Sequence, residues 1–274
     1  MKSHTVLFLL FLVIASGSLD PCWAGSGLPS QPAPIIESLP GYLPPEDLPD
    51  SLALLPPPPE QGTAALALDI EVNERSLHLR ETLRWELAIE DANLNFPDAA
   101  TTFSCALNAR ITEHDTPHLY MLLRRTLTDA SKSTQKAKDY YHRTRPFVVN
   151  KKHSCTPDAE NELAANGSYP SGHTTIGWAW ALILSEIAPE QADAILSRGR
   201  AFGESRVVCN VHWQSDVNEA RVMGAAVVAR LHTDPVFRAE LKAAKADLAA
   251  VRVKGLKPLR DCATEAAEMA TWGK

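Results

Sequence analysis

Three short blocks of this 274-residue chain carry residue types that could act together on an oxyanion. The first is Lys138-Asp-Tyr-Tyr-His-Arg-Thr-Arg145-Pro146. Lys138 and Arg145 are seven residues apart, two turns of an α-helix and nearly one face, and Pro146 disfavours further helix. A guanidinium fork beside an ammonium point charge makes an anion clamp. The second block is Gly167-Ser-Tyr-Pro-Ser171-Gly172-His173-Thr174, a turn-rich loop running into an apolar stretch. Unpaired amides at a helix start point outward and form a cradle for an anion. Gly172 is expected to let the backbone approach a ligand, Ser171 adds a hydroxyl donor, and His173 lies at the mouth. The third block is Ser205-Arg206-Val-Val-Cys-Asn-Val-His212-Trp-Gln-Ser-Asp216. His212 and Asp216 share a face if they are helical. A carboxylate on one imidazole nitrogen fixes the tautomer and leaves the other nitrogen with a lone pair for attack. Arg206 supplies a third cation.

These blocks need a scaffold, and the scaffold reads as helical. Residues 68–91 are a long run of helix formers without Pro or Gly, and residues 115–141 are another, with Leu119, Leu122, Leu123 and Leu127 on the apolar positions. Residues 174–187 are apolar all round, which marks a buried helix. Residues 189–204, 216–231 and 235–253 are amphipathic or alanine-rich candidates. Strand alternation is almost absent, so the expectation is an all-α helical bundle forming one domain over residues 63–274.

Residues 25–62 are proline-rich and end in Pro56-Pro57-Pro58-Pro59. They are expected to form an extended, non-helical arm, with Tyr42, Leu48, Leu52, Leu54 and Leu55 giving it something to pack with. Residues 1–24 read as a secretory signal: Lys2, an apolar run over residues 6–15, then Cys22-Trp23-Ala24 before a cut at Gly25. The apolar run is too short to span a bilayer, and Cys22 is not in a lipobox. Cleavage leaves Cys105, Cys155, Cys209 and Cys262, an even set suggesting two disulfides with three possible connectivities. Cys155–Cys209 is favoured because both flank the chemical blocks.

Hydrophobic residues are 45% of the chain and charged residues 22%, enough for a sizeable core. With a net charge of −6 and no long basic run, nucleic acid is not an expected partner. No Cys-x-x-Cys pair is present, and no metal site is expected.

Eleven residues in order (Lys138, Arg145, Pro146, Pro170, Ser171, Gly172, His173, Ser205, Arg206, His212, Asp216) match the tripartite signature of the type-2 phosphatidic acid phosphatase superfamily, which includes the vanadium haloperoxidases. The fuller string from Gly167 to Thr174 resembles the hallmark of bacterial class A non-specific acid phosphatases. Residues 52–59 and 90–94 are also similar to the N-terminal region of that family. The resemblance implies an all-α fold, export to the periplasm, a homo-oligomer, and metal-independent hydrolysis of many phosphomonoesters. It implies no cofactor, with vanadate as an inhibitor. It makes His212 the nucleophile, Asp216 its orienting partner and His173 the general acid, with Lys138, Arg145, Ser171, Gly172 and Arg206 holding phosphate oxygens. His212 is then expected to start neutral and His173 cationic. The alternatives are a vanadium-dependent haloperoxidase, a membrane lipid phosphatase, for which no mature segment is long and apolar enough, and a non-catalytic secreted binding protein. Captured by an alcohol instead of water, the same intermediate would give phosphotransferase activity.

Overall fold

The computed structural model describes Met1 and residues 39–270; the signal-like residues 2–24 and the first part of the arm lie outside the described residues. Among the described residues there is no strand, and the chain is all-α. The arm contributes α1 (Ser51–Leu54), and α2 (Ala64–Ser76) and α3 (Leu83–Glu90) follow. Next come α4 (Ser104–Leu107), α5 (Pro117–Ser133), α6 (Gln135–Tyr141), α7 (Pro146–Asn150) and α8 (Glu160–Ala164). The last five are α9 (Gly172–Ile187), α10 (Ala192–Val208), α11 (Gln214–Leu231), α12 (Pro235–Val253) and α13 (Cys262–Ala270).

Helix α9 is the axis of the bundle, as its unbroken apolar sequence requires: Ile176, Trp180, Ile183 and Leu184 are all buried. Helices α10, α11 and α5 pack around it, and α12 covers α5. The approach of α10 and α11 depends on missing side chains. A Cβ on Gly199 would fall 2.4 Å from the Ala181 Cβ, and one on Gly224 would fall 2.9 Å from the Thr175 carbonyl oxygen. Two stretches expected as single helices are each broken. Residues 68–91 turn between α2 and α3, where Glu81 has φ 60°. That turn lets Arg84 reach into α10, donating to Ser205 Oγ at 2.9 Å and to the Ala201 carbonyl at 2.9 Å. Residues 115–141 bend at Thr134, where the Ser133 and Thr134 hydroxyls each bond back to a carbonyl three residues earlier, at 2.8 Å.

The described part of the arm is not wholly extended. Asp50 accepts from the Leu52 amide at 2.9 Å and caps α1, inside the proline-free stretch 50–55. Tyr42 and Leu55 are buried, Tyr42 edge-on to Phe237 of α12, whereas Leu52 and Leu54 face outward. The Asp129 carboxylate of α5 takes the Tyr42 and Leu43 amides at 2.8 and 3.1 Å. Both disulfides form: Cys155–Cys209, the favoured pairing, and Cys105–Cys262, which ties α4 to α13. Among the described residues no helix is long and apolar enough to cross a membrane.

Candidate active site

Lys138 and Arg145 come together, but not on one helix face. Helix α6 ends at Tyr141, His142 takes a left-handed conformation (φ 42°), and Arg145 is the extended N-cap of α7. Pro146 therefore opens a helix instead of ending one. The two cations meet at one carbonyl: Lys138 Nζ donates to Gly167 O at 2.7 Å, and Arg145 Nη2 to the same oxygen at 3.4 Å. Gly167 is also the residue whose lack of a side chain the packing demands, since a Cβ there would lie 2.5 Å from the Lys138 carbonyl oxygen. Gly172 is not crowded in that way: its nearest neighbours to a Cβ, at 3.9 Å, are Lys138 Cε and Thr134 Oγ1. A side chain on Gly172 would project toward the Lys138 side chain.

His212 lies in the turn between α10 and α11. Asn210, with φ 65°, reverses the chain there. Its side chain is gripped by Asn73 and Asn150 at 2.9 Å each, and the Cys155–Cys209 bond anchors the residue before it. The His212 ring is buried, with Nδ1 3.3 Å from Asp216 Oδ2 and Nε2 3.1 Å from Arg145 Nη1. A guanidinium can only donate, so Nε2 is the acceptor and Nδ1 carries the proton toward Asp216. The pair does not share a helical turn: His212 precedes α11, and Asp216 reaches back over the helix start, taking the Trp213 amide on Oδ2 at 2.9 Å.

His173 is the second residue of α9, and its Nε2 donates to the Ala92 carbonyl at 3.1 Å, which leaves Nδ1 for any further partner. Ser171 is the N-cap of α9. Its Oγ accepts from the Thr174 amide at 3.3 Å, and its own amide goes to the Asp216 carbonyl at 3.1 Å. What Ser171 keeps for a ligand is its hydroxyl proton. Arg206, near the end of α10, is buried, and its Nε and Nη1 have no hydrogen-bond partner among the described residues. Neighbouring Ser205 points away, donating to Asp91 Oδ2 at 2.6 Å beside the buried Asp91–Arg198 pair.

The electrostatics are those of crowded cations. Burial, with Arg145 adding to it, pushes the Lys138 ammonium down to about 7. Burial pushes Arg145 down to about 10, and burial with Arg145 nearby does the same to Arg206. Both imidazoles are driven well below their ordinary range, His212 by burial, Arg145 and Lys138, and His173 by burial and Arg206. The protein alone therefore does not set the expected split between a neutral His212 and a cationic His173. A phosphoryl dianion held among the cations acts with the opposite sign on every one of these groups.

Sequence reasoning missed Asp69, Arg143 and Ser215, which stand behind Asp216. Arg143 Nη1 donates to Asp216 Oδ1 at 2.5 Å and its Nη2 to Asp69 Oδ2 at 2.7 Å. Arg143 was visible only as one more cation before Pro146, and Asp69 only as a polar position of α2. A His-x-x-x-His spacing, not expected from the sequence reading, is present at His114 and His118. Pro117 starts α5 between the two rings, and their Nδ1 atoms go to separate carboxylates, Asp115 and Glu240, at 3.2 and 2.9 Å.

Comparison with known proteins places these residues in context. Residues 117–239, which hold all three of the sequence blocks but not Asp69, match the PAP2 superfamily. The chain is 47% identical over 204 residues to a non-specific acid phosphatase of Providencia stuartii, covering 74% of this chain and 82% of that one. It is 38% identical over 249 residues to a non-specific acid phosphatase of Salmonella typhimurium, covering 90% and 93%. An acid phosphatase of Zymomonas mobilis is 38% identical over 209 residues, covering 76% and 79%.

Proposed function

We propose, from the premise that this chain belongs to the PAP2 superfamily and within it to the non-specific acid phosphatases, that its phosphoric monoester hydrolysis runs through a phosphohistidine on His212. One observation carries this reading: His212 Nε2 is an acceptor facing the cations while Nδ1–H is held toward Asp216. Lys138, Arg145, Arg206, the Ser171 hydroxyl and the first amides of α9 would hold the three equatorial oxygens, where charge spreads in the transition state. The Nε2 lone pair forms the N–P bond as the P–O bond to the alcohol breaks. The alcohol oxygen takes a proton from His173 Nδ1, because Nε2 of that ring is committed to Ala92. His173 then removes a proton from water, the water oxygen attacks phosphorus, and the N–P bond breaks.

The groups named all address the phosphoryl end of a substrate, which supports tolerance of many alcohols and capture of the intermediate by an alcohol acceptor. Two disulfides support an oxidising compartment, which for this chain would be the periplasm after loss of a signal at residues 1–24. A homo-oligomer belongs to the same reading, as do metal-independent turnover and inhibition by vanadate. A haloperoxidase reading draws on the same residues and would require bromide oxidation with vanadate and peroxide. The deciding experiment is a rapid quench in alkaline denaturant with labelled phosphate ester. Label on wild-type protein and none on His212→Ala is expected; label retained on His212→Ala would place the nucleophile elsewhere.

A further inference from the structure

Behind the nucleophile lies a hydrogen-bonded set of side chains of which only Asp216 belongs to the signature. Asp69 and Asp216 are almost wholly buried, at 2% and 0% exposed, and both bind the two ends of one guanidinium, Arg143. Asp69 also holds the start of α11. Its Oδ1 accepts from the Ser215 amide at 2.8 Å, and its Oδ2 from the Ser215 hydroxyl at 2.6 Å. The Ser215 oxygen in turn accepts from Arg143 Nη1 at 2.7 Å. A carboxylate of α2 thus caps, from outside, the helix that carries Asp216.

We propose that Asp69, through Arg143 and Ser215, is a positioning residue for the attack of His212, an inference that rests on the phosphohistidine reading. When Nε2 bonds phosphorus and Nδ1 keeps its proton, the imidazole becomes cationic among Lys138, Arg145 and Arg206. Asp216 is the nearest counter-charge, yet its other oxygen is gripped by Arg143. A guanidinium bound to Asp216 alone would cancel the charge that the ring needs, strongly so in a buried setting. Asp69 removes that conflict. Two carboxylates share one guanidinium, so the assembly behind His212 keeps a net negative charge while Arg143 still fixes the angle of the Asp216 carboxylate. Arg143 clamps the geometry, and Asp69 keeps the clamp from draining the charge.

The test is single-turnover labelling of Asp69→Asn beside wild type, with inorganic phosphate affinity measured on the same samples. Asp69→Asn keeps an acceptor for the Ser215 amide, but it loses the charge and puts an amide NH2 where Oδ2 accepted from Arg143 Nη2 and the Ser215 hydroxyl. It should slow phosphohistidine formation roughly 10- to 100-fold, the usual loss for groups that orient a reacting side chain, and leave phosphate affinity within a factor of about three. Asp69→Glu should recover part of the rate. An unchanged rate, or a loss of phosphate affinity that parallels the loss of rate, overturns the proposal. If Asp69→Asn does not fold, Ser215→Ala decides: a slower labelling step with phosphate affinity retained supports the network, and an unchanged step sinks it. Absence of label on wild-type His212 would instead refute the phosphohistidine reading on which this one stands.

Discussion

Arg145 Nη1 donates to His212 Nε2 at 3.1 Å, so the lone pair best placed to attack phosphorus is covered by a cation. The same guanidinium is pinned through Nε to the carbonyls of Leu163 and Asn166, at 2.7 and 3.1 Å, and its Nη1 also reaches the Val211 carbonyl at 3.0 Å. A phosphoryl oxygen approaching Nε2 meets this donor first. On the phosphohistidine reading, the hydrogen bond would pass from the ring to the oxygen, baring the nucleophile only when there is something to attack.

Arg145→Lys should therefore be a poor substitute. An ammonium lacks the fork that holds four carbonyls, those of Leu163, Asn166, Val211 and Gly167, while offering a further N–H. The expected loss is roughly 10²- to 10³-fold in kcat, as for removal of one fixed oxyanion donor. Steady-state kinetics with nitrophenyl phosphate measure it. A lysine variant within a factor of about three of wild type would show that the fork is not needed.

Arg206 sets stability against function. Its buried Nε and Nη1 lack partners among the described residues, and an unsatisfied buried polar group costs about 1–3 kcal/mol, more if charged. Arg206→Met should raise the melting temperature while cutting turnover at least about a hundredfold. Thermal denaturation of both proteins without phosphate checks the first half. A lower melting temperature in the methionine variant would mean that the guanidinium is satisfied by contacts within the protein.

If Lys138 holds a phosphate oxygen, phosphate affinity should depend on pH. Its ammonium falls from the ordinary 10.5 to about 7, so it is cationic below that value and neutral above it. Binding of inorganic phosphate should weaken as pH rises through about 7, approaching tenfold per unit beyond it. Arg145 stays charged across this range, being lowered only to about 10. Lys138→Arg should flatten the profile between pH 6 and 9, about the interval set by these values. The linked stability has the opposite sense. Between about 7 and 10.5 the unfolded chain binds this proton and the folded chain does not, so the contribution to folding rises with pH in that window and is least favourable below it. Calorimetric titration at several pH values, corrected for the second ionisation of phosphate itself, reads the affinity for the dianion, and a flat corrected profile would refute the assignment.

The candidate site residues were legible because their types are rare in such an order; the connections between them were not. Lys138 and Arg145 looked like one helix face, and His212 and Asp216 like another, yet left-handed residues at 142 and 210 end the helices first. Neither His nor Asn is a strong helix breaker, so composition gave no warning. The break at Glu81 was hidden because tertiary packing, with Arg84 entering α10, overrides local helix preference, whereas the bend at Thr134 rests on the local back-bonding of the Ser133 and Thr134 hydroxyls. Asp69 could not be singled out because its partner Ser215 is 146 residues away. The burial of α9 was legible outright, since its apolar character has no polar face to offer water.

His173 gives the sharpest test of roles. Its Nε2 is fixed on Ala92 O, so Nδ1 is the nitrogen that can give a proton to a leaving alcohol. Burial and Arg206 disfavour the charged ring, and a bound dianion must restore it. If His173 is the general acid, the proton would be held only when a phosphoryl group is present, and its delivery would matter in proportion to the basicity of the departing oxygen. His173→Ala should lose roughly 10²- to 10⁴-fold with an alkyl phosphate. It should lose far less with nitrophenyl phosphate, whose phenolate leaves without protonation. Comparing kcat for the two substrates in both proteins measures the difference, and equal losses on both would remove His173 from the role of acid.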